Sequence, residues 1–153
     1  MALVGDILLL QERPVVAAGV TWLMKRSFDL LVAIPLLILT APLVLLAGIL
    51  IKISSPGPIF FAQERLGMNG KPFILYKLRT MAVDTPAYAA KEDAIATGAV
   101  FAVGKLLRRT SIDELPQLWN VIRGDMSLVG PRPEMPSIAA AYDRCQRERL
   151  RLP

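Results

Sequence analysis

Residues 30–51 read LLVAIPLLILTAPLVLLAGILI, and this stretch decides how the rest of the chain is organised. It carries no charged residue, and fifteen of its residues are Leu, Ile or Val. About 20 consecutive apolar residues are enough for a helix to cross a bilayer. On an insertion scale these side chains favour the membrane by roughly 5 to 9 kcal/mol. A buried core helix of a soluble protein is the alternative, but such helices usually keep a polar stripe. The sequence therefore predicts a membrane helix.

Two prolines, Pro35 and Pro42, lie inside this apolar stretch. Each removes a backbone donor from the helix, and prolines in membrane helices usually mark kinks. Basic residues flank both ends, with Lys25 and Arg26 before the stretch and Lys52 after it. The positive-inside rule expects such an excess on the cytoplasmic side only. We therefore favour a re-entrant helix, with its break at Pro42, over a simple span.

The re-entrant helix divides the chain into three parts. Residues 1–24 are expected to form a peripheral or interfacial segment, residues 25–53 the membrane helix-break-helix, and residues 54–153 a cytoplasmic catalytic domain. The arms of the helix, residues 28–41 and 43–53, would be about 21 and 16 Å long. Each arm would reach only part-way across a hydrocarbon core of about 30 Å.

The cytoplasmic part is expected to be small, mainly helical and of the α+β class. Ile59–Gln63 and Phe73–Leu78 have the composition of strands, and the Asn69-Gly70 pair between them is a hairpin turn signal. Helical patterns follow at residues 100–109, in an amphipathic segment through residue 122 that Gly124 closes, and from residue 136 to the terminus. Residues 82–98 are expected to form a mobile loop or short helix, and residues 130–133 a rigid turn.

Composition excludes several kinds of chemistry. The chain has no histidine and a single cysteine, Cys145. Histidine-based acid–base catalysis, histidine metal sites and internal disulfides are therefore excluded. The net charge of +5 is typical of proteins that bind nucleic acid or anionic lipid. Beside a membrane helix, lipid headgroups and phosphorylated substrates are favoured and nucleic acid is not. Chemistry must then use carboxylates, Arg, Lys, hydroxyls and an oxygen-liganded cation.

Asp113 and Glu114 are the first candidate site residues. If Asp113 is a helix N-cap, Pro116 falls at the third helical position, where its missing donor costs nothing. The helix macrodipole would then favour the ionised carboxylate, which could bind Mg²⁺ or attack phosphorus. A purely structural role stays open, because Asp is a common N-cap and Ser111–Glu114 also matches a capping box.

The second candidate set consists of arginines in predicted turns or at predicted helix ends. Arg79, Arg108 and Arg132 could each recognise a phosphate through two parallel hydrogen bonds. The flanking prolines of Pro131-Arg132-Pro133 would hold one of these guanidinium groups stiffly. Solubility of the surface is the alternative explanation for any single arginine.

The motifs together resemble the bacterial sugar transferase family, the small monotopic phosphoglycosyl transferases, over roughly residues 25–135. They are KRSFD at 25–29, GPIFFAQERLG at 57–67, YKLRTM at 76–81, SIDELPQLWNV at 111–121 and GDMSLVGPRPE at 124–134. The resemblance implies transfer of a phospho-sugar from a UDP-sugar to a polyprenol (undecaprenyl) phosphate, with release of UMP and dependence on Mg²⁺. This would be the first membrane step of bacterial glycan assembly, at the cytoplasmic face of the inner membrane.

The resemblance also implies roles for individual residues. Asp113 would be the nucleophile that forms a covalent phospho-sugar intermediate, and it would also bind Mg²⁺. Glu114 would assist proton transfer from the polyprenol phosphate or position it. Arg108 and Arg132 would hold phosphate oxygens, and Pro42 matches the family's helix-breaking proline.

The chain departs from the family pattern at its end. Members continue into a Gly-rich, Trp-containing segment, whereas this sequence stops at Pro153, so we expect the C-terminal end to be truncated. An inactive, membrane-anchored protein that binds polyprenol phosphate or acts as a scaffold is therefore the alternative. The sugar, the glycan pathway and the oligomeric state, including a homodimer, stay open.

Overall fold

A computed structural model of the protein describes residues 19–83, 85 and 99–142. The described elements are α1 (Gly19–Ser54), β1 (Phe60–Leu66), a 3-10 turn at Met68–Gly70, β2 (Pro72–Leu78), α2 (Ala102–Arg109), a 3-10 turn at Ile112–Glu114, α3 (Gln117–Arg123) and α4 (Pro136–Ala140). This confirms the predicted mixture of helices with a small β-hairpin. The expectations for residues 1–18, for most of 82–98 and for 143–153 lie outside the described residues.

Helix α1 is the longest element and begins at Gly19, before the expected boundary at residue 25. Within residues 21–54 a window of 18 residues reaches a mean hydropathy of 2.7, and α1 is the one helix among the described residues long and apolar enough to cross a membrane. Many of its large apolar side chains are not covered by protein: Leu31 is 74%, Leu39 75% and Ile53 78% exposed. Such a surface is typical of a site that contacts a membrane or another protein.

The predicted interruption of α1 is wrong at the level of secondary structure, because the helix continues through both Pro35 and Pro42. A proline removes one hydrogen bond from the ladder, and neighbouring turns can hold the helix together across the gap. Near Pro42 the Thr40 hydroxyl donates to the Leu36 carbonyl at 2.7 Å, an arrangement that often bends helices.

The N-terminal part of α1 is fixed to α3 and the loop after it. Arg26 donates to the carbonyls of Val121 and Ile122 at 2.5 and 2.6 Å, so its guanidinium satisfies carbonyls in the last turn of α3. Asp29 is 4% exposed and accepts the Leu128 N–H at 3.3 Å. These charged residues of α1 therefore lie at the level of the globular part.

The C-terminal part of α1 packs on the same globular part. Ala47 and Ile51 form a buried cluster with Leu78 of β2 and Leu107 of α2. One helical turn after Asp29, Ala33 is buried against Leu118 and Val121 of α3. Both ends of α1 thus contact one small domain.

The hairpin forms as predicted. Its strands are antiparallel, with a register that runs from Phe60 opposite Leu78 to Leu66 opposite Pro72. Asn69 and Gly70 both have positive φ, at 59° and 70°, and the Lys71 N–H donates to the Met68 carbonyl at 3.3 Å. Positive φ at both central residues defines a type I′ turn, for which Asn-Gly is the preferred pair.

Asn120 joins α3 to the hairpin from a fully buried position. Its amide oxygen accepts the Tyr76 N–H at 3.1 Å, and its amide nitrogen donates to the Ile74 carbonyl at 2.7 Å. The side chain therefore takes the place of a neighbouring strand along β2. Gly124, with φ of 88°, ends α3 as predicted, since a left-handed residue there favours glycine.

Helix α2 lies against the end of β2 through Gly104. A Cβ atom at this position would come within 2.2 Å of the Thr80 carbonyl oxygen, so only glycine allows the observed approach. The predicted helix over 100–109 is confirmed as Ala102–Arg109. The approach brings the last turn of α2, with Arg108, to the segment that follows the hairpin.

Candidate active site

Asp113 and Glu114 lie in a single 3-10 turn, Ile112–Glu114, which connects α2 to α3. Ser111 precedes the turn in the left-handed conformation, with φ of 57°, and Pro116 is the N-cap of α3. The prediction that Asp113 caps the helix containing Pro116 is therefore wrong. Ser111 also makes no capping hydrogen bond with its side chain, so the capping box is not formed.

The environment of Asp113 disfavours its negative charge. The residue is buried, and this burial raises the pKa of the carboxyl above its ordinary value. The negative charge of Glu114 raises the pKa further, whereas Lys77 and Arg108 lower it. A position at a helix N-terminus would have lowered the pKa of Asp113, so the observed shift is opposite to the predicted one. Buried carboxyls with shifted pKa values beside opposing charges are typical of functional sites.

Glu114 and Arg132 form an ion pair across the site. Nη2 of Arg132 donates to Oε1 of Glu114 at 2.8 Å, and the two side chains are 75% and 44% exposed. A surface pair of this kind contributes about 0–1 kcal/mol to stability. The exposed guanidinium still has donors directed at solvent, so a phosphate could share it with Glu114.

Arg108 is held beside the segment after β2. Its Nε donates to Thr80 Oγ1 at 2.8 Å, and its Nη2 contacts Met81 Sδ at 3.1 Å. Its Nη1 is buried and has no hydrogen-bond partner in the described part of the chain. A buried donor without a partner is costly, and an anionic ligand oxygen is the kind of group that would satisfy it.

Lys77 is a site residue that the sequence reasoning missed. It lies on β2 opposite Phe61, and its Nζ sits 5.0 Å from the centre of that ring. Burial and the nearby Arg108 and Arg65 lower the pKa of Lys77, while Asp113 raises it. The alternation of the strand could have found it, because residues 61 and 77 are paired on one face of the hairpin.

Arg79 is placed apart from these residues. It is 4% exposed, and its guanidinium donates to the Ser55 hydroxyl and carbonyl at 3.0 and 2.7 Å and to the Pro56 carbonyl at 2.8 Å. These bonds hold the turn that follows α1. Binding of substrate by Arg79 stays a prediction, and its observed contacts describe a structural role.

The carboxylate dyad of this site, Asp113 and Glu114, could bind a magnesium ion only together with a substrate. Among the residues that the structure describes, no three Asp, Glu, Cys or His side chains are grouped so that they could hold a metal ion. Mg²⁺, however, is usually bound by one or two carboxylates plus substrate phosphates and water. Asp113 and Glu114 supply the carboxylates that such a site would need.

The fold and the site together define a membrane-associated protein whose carboxylate dyad is surrounded by cations suited to phosphate groups. A sequence profile of the family described as bacterial sugar transferase matches residues 20–152, and the chain belongs to this family.

The names of three relatives state the substrates on which those proteins act. The chain is 50% identical over 121 residues to the UDP-glucose:undecaprenyl-phosphate glucose-1-phosphate transferase of Caulobacter vibrioides, covering 79% of this chain and 44% of that protein. It is 47% identical over 116 residues to the putative undecaprenyl-phosphate N-acetylgalactosaminyl 1-phosphate transferase of Bacillus subtilis, covering 73% and 63%. It is 42% identical over 120 residues to the UDP-N-acetylgalactosamine-undecaprenyl-phosphate N-acetylgalactosaminephosphotransferase of Aeromonas hydrophila, covering 78% and 28%. The chain thus spans between about a quarter and two thirds of the length of these relatives.

Proposed function

We propose that this chain transfers a sugar phosphate from a UDP-sugar to a polyprenol phosphate and releases UMP. The observation that carries the proposal is Asp113, a buried carboxylate beside Glu114 whose pKa responds to Lys77 and Arg108. A nucleophile for phosphorus needs such a setting, in which cations hold both the carboxylate and the phosphate that it attacks. The names of relatives at 42–50% identity supply the substrate classes.

In the first step a carboxylate oxygen of Asp113 attacks the sugar-bearing phosphorus of the UDP-sugar. A bond forms between that oxygen and phosphorus, and the bond from the same phosphorus to the oxygen that bridges the two phosphates breaks. UMP leaves with the bonding electron pair, and the phospho-sugar stays on Asp113. Arg108 has a buried donor without a partner, which suits it to an oxygen of the reacting diphosphate.

In the second step a phosphate oxygen of the polyprenol phosphate attacks the same phosphorus. The bond to Asp113 breaks, which restores the carboxylate and gives a polyprenyl diphosphate sugar. Glu114 takes the proton from the incoming phosphate if that phosphate is monoprotonated. Arg132, which already contacts Glu114 at 2.8 Å, can hold the acceptor phosphate beside it.

A magnesium ion is part of the proposal. Asp113, with Glu114 beside it, would hold the ion together with phosphate oxygens of the UDP-sugar. When bound, the ion supplies neutralisation of the charge that develops on the diphosphate and on the departing UMP.

We further propose that α1 is re-entrant and that the domain lies on the cytoplasmic face. The support comes from its two docked ends: Arg26 is bonded to carbonyls of α3, and Ile51 is buried against Leu78 and Leu107. A helix that spanned the bilayer would separate such regions by about 30 Å of hydrocarbon. A cytoplasmic domain also has access to both the nucleotide sugar and the headgroup of the lipid.

The test uses the purified chain in nanodiscs with Mg²⁺, polyprenol phosphate and a panel of UDP-sugars. We expect release of UMP with at least one sugar, and recovery of label from the sugar-bearing phosphate on the peptide that contains Asp113. Asp113→Asn should reduce UMP release about 1,000-fold or more and abolish the labelling. Glu64→Gln, an exposed acid on β1, is the control and should keep activity. Undiminished turnover by Asp113→Asn would contradict the nucleophile, and no UMP with any sugar would favour the binding or scaffold alternative.

A further inference from the structure

Thr80 follows strand β2 and lies against α2. It is 4% exposed, and its hydroxyl accepts a hydrogen bond from Nε of Arg108 at 2.8 Å. The other contact of the same guanidinium is with Sδ of Met81 at 3.1 Å, and a thioether is only a weak acceptor. In the described part of the chain, Thr80 is therefore the one residue whose oxygen atom holds Arg108.

This contact follows from the helical repeat of α2. Gly104 and Arg108 are four residues apart, so they lie on one face of the helix. At Gly104 the backbone of α2 comes so close to Thr80 that a Cβ atom would lie 2.2 Å from the Thr80 carbonyl oxygen. Side chains in a helix point back towards its N-terminus, which brings the guanidinium of Arg108 to the level of Thr80. One residue therefore meets α2 twice, through its carbonyl and through its hydroxyl.

The backbone on both sides of Thr80 is also held. The Arg79 N–H donates to the Ile59 carbonyl at 2.8 Å, and Met81 forms an antiparallel bridge with Val100. A hydroxyl on a fixed backbone can hold a long side chain in one orientation before a ligand arrives, so binding then costs less conformational entropy. The guanidinium that contacts this hydroxyl is thus positioned in advance.

The contacts at two nitrogens of Arg108 leave the third nitrogen for a ligand. A guanidinium is planar and rigid, so contacts at Nε and Nη2 fix the direction of the N–H groups on Nη1. Nη1 is buried and has no hydrogen-bond partner among the described residues. Arg108 is close enough to Asp113 and Lys77 to shift the pKa of both. Its unpaired donor therefore belongs to the same site as the proposed nucleophile.

We infer that Thr80 is a positioning residue for the transfer: its hydroxyl orients the Arg108 guanidinium so that Nη1 donates to the diphosphate of the UDP-sugar. The inference rests on the proposed function for the identity of that anion. A purely structural role is the alternative, in which the hydroxyl only satisfies a buried guanidinium. Loss of the hydroxyl would then lower Tm but leave ligand binding unchanged at temperatures where the chain is folded.

The first test measures binding of UDP, which carries the diphosphate and needs no turnover. The chain in nanodiscs with Mg²⁺ is titrated with UDP by calorimetry, at a temperature where circular dichroism shows each variant to be folded. Thr80→Val keeps the shape of the side chain without the hydroxyl, and Thr80→Ser keeps the hydroxyl. We expect Kd to rise about tenfold in Thr80→Val and to stay within about twofold in Thr80→Ser. An unchanged Kd in Thr80→Val, or an equal rise in both variants, would overturn the inference.

Thr110→Val is the matched control for this measurement. The Thr110 hydroxyl donates to the carbonyls of Leu106 and Leu107 in its own helix, at 2.9 and 3.2 Å. Its removal takes a hydroxyl from the end of α2 but leaves the contact of Arg108 in place, so Kd for UDP should not change. A rise equal to that of Thr80→Val would show that the effect is not specific to Thr80, and it would overturn the inference.

The second test is a double-mutant cycle with Arg108→Lys, which keeps the positive charge but removes Nε and the planar fork. The measurement is the rate at which a UDP-sugar labels Asp113. If Thr80 acts through Arg108, Thr80→Val should lower this rate about tenfold in the unaltered chain and less than about twofold in the Arg108→Lys chain. Additive losses would mean that Thr80 acts through another contact, and they would overturn the inference.

The two tests separate this inference from the proposed function. An affinity for UDP that depends on the Thr80 hydroxyl would support the positioning of Arg108 even if the chain releases no UMP. Conversely, UMP release and labelling at Asp113 that are equal in the unaltered chain and in Thr80→Val would leave the proposed function standing and remove Thr80 from it.

Discussion

The charge on Asp113 is set by burial and by charged neighbours that act in opposite directions. Burial and Glu114 raise the pKa of its carboxyl, and Lys77 lowers it. Only the ionised carboxylate can attack phosphorus, so UMP release should fall as the pH drops through the pKa of Asp113. Because that pKa is raised, this acid limb should lie at a higher pH than an ordinary aspartate would give.

Two substitutions should move this acid limb in opposite directions. Lys77→Gln removes a positive charge and should shift the limb to higher pH, whereas Glu114→Gln removes a negative charge and should shift it to lower pH. The measurement is the pH dependence of labelling at Asp113 by a UDP-sugar, which isolates the first step from any role of Glu114 in the second.

Lys105→Gln is the control for a change in net charge. Lys105 is exposed on α2 and is not among the groups that shift the pKa of Asp113. The acid limb of Lys105→Gln should therefore lie at the same pH as that of the unaltered chain. Shifts of Lys77→Gln and Glu114→Gln in the same direction would mean that another group controls the limb.

The contacts of individual residues could not be predicted from the sequence. Arg79, Arg108 and Arg132 look alike in the sequence, but their partners are 24, 28 and 18 residues away along the chain. Contacts of that separation decide that Arg79 supports a turn while Arg132 meets Glu114. Lys77 was missed for a related reason, because a shift of one residue in strand register moves a side chain to the opposite face.

At the scale of elements, local chemistry was sufficient to predict the turns and helix ends that need a residue with positive φ. The Asn69-Gly70 turn and the end of α3 at Gly124 both depend on positive φ, which the sequence signals directly. The same reasoning failed for α1, because the rule that proline breaks a helix neglects support from the surrounding turns. It also failed for Asp113, since Pro116 is the N-cap of α3 and Asp113 lies in a separate turn.

The docking of α2 gives a test at this scale. Gly104→Ala would place a Cβ atom 2.2 Å from the Thr80 carbonyl, so α2 would have to move away from the end of β2. We expect a loss of about 2–3 kcal/mol in the free energy of unfolding, or a fall of roughly 5–10 °C in Tm. UMP release at temperatures where the variant is folded should also fall, because Arg108 depends on Thr80 for its position.

Gly19→Ala is the matched control for this prediction. Gly19 is also in a helix, but a Cβ atom there would meet nothing within 4 Å. Alanine is the better helix former by about 1 kcal/mol, so Tm should stay the same or rise slightly. An unchanged Tm in Gly104→Ala would show that the close approach of α2 to Thr80 is not required.

At the scale of the whole molecule, the path of α1 decides on which side of the membrane the chemistry occurs. A straight helix of 36 residues is about 54 Å long, more than enough to cross a bilayer. Composition alone therefore permits a span, with Met24 and Ser54 on opposite sides. The tertiary contacts favour the other path, because Arg26 and Ile51 are both held by the one domain that carries Asp113.

Cysteine accessibility distinguishes the two paths. Starting from Cys145→Ser, which removes the only cysteine, Met24→Cys and Ser54→Cys each place a thiol near one end of α1. Lys71→Cys reports the side of the domain, and Leu39→Cys reports the part of α1 that is 75% exposed on the protein and should be covered by lipid. We expect residues 24, 54 and 71 to resist a membrane-impermeant maleimide in intact spheroplasts and to react in inverted vesicles, with residue 39 protected in both.

The opposite result has consequences beyond topology. If residues 24 and 54 react from different sides, the domain can hold only one end of α1, and either the Arg26 contacts with α3 or the packing of Ile51 on Leu78 must be broken in the membrane. Asp113 would keep its cations, since Lys77 and Arg108 belong to the domain itself, so first-step labelling would survive. The labelling pattern therefore tests whether α1 is a re-entrant anchor with both ends on one domain or a span that holds the domain by one end only.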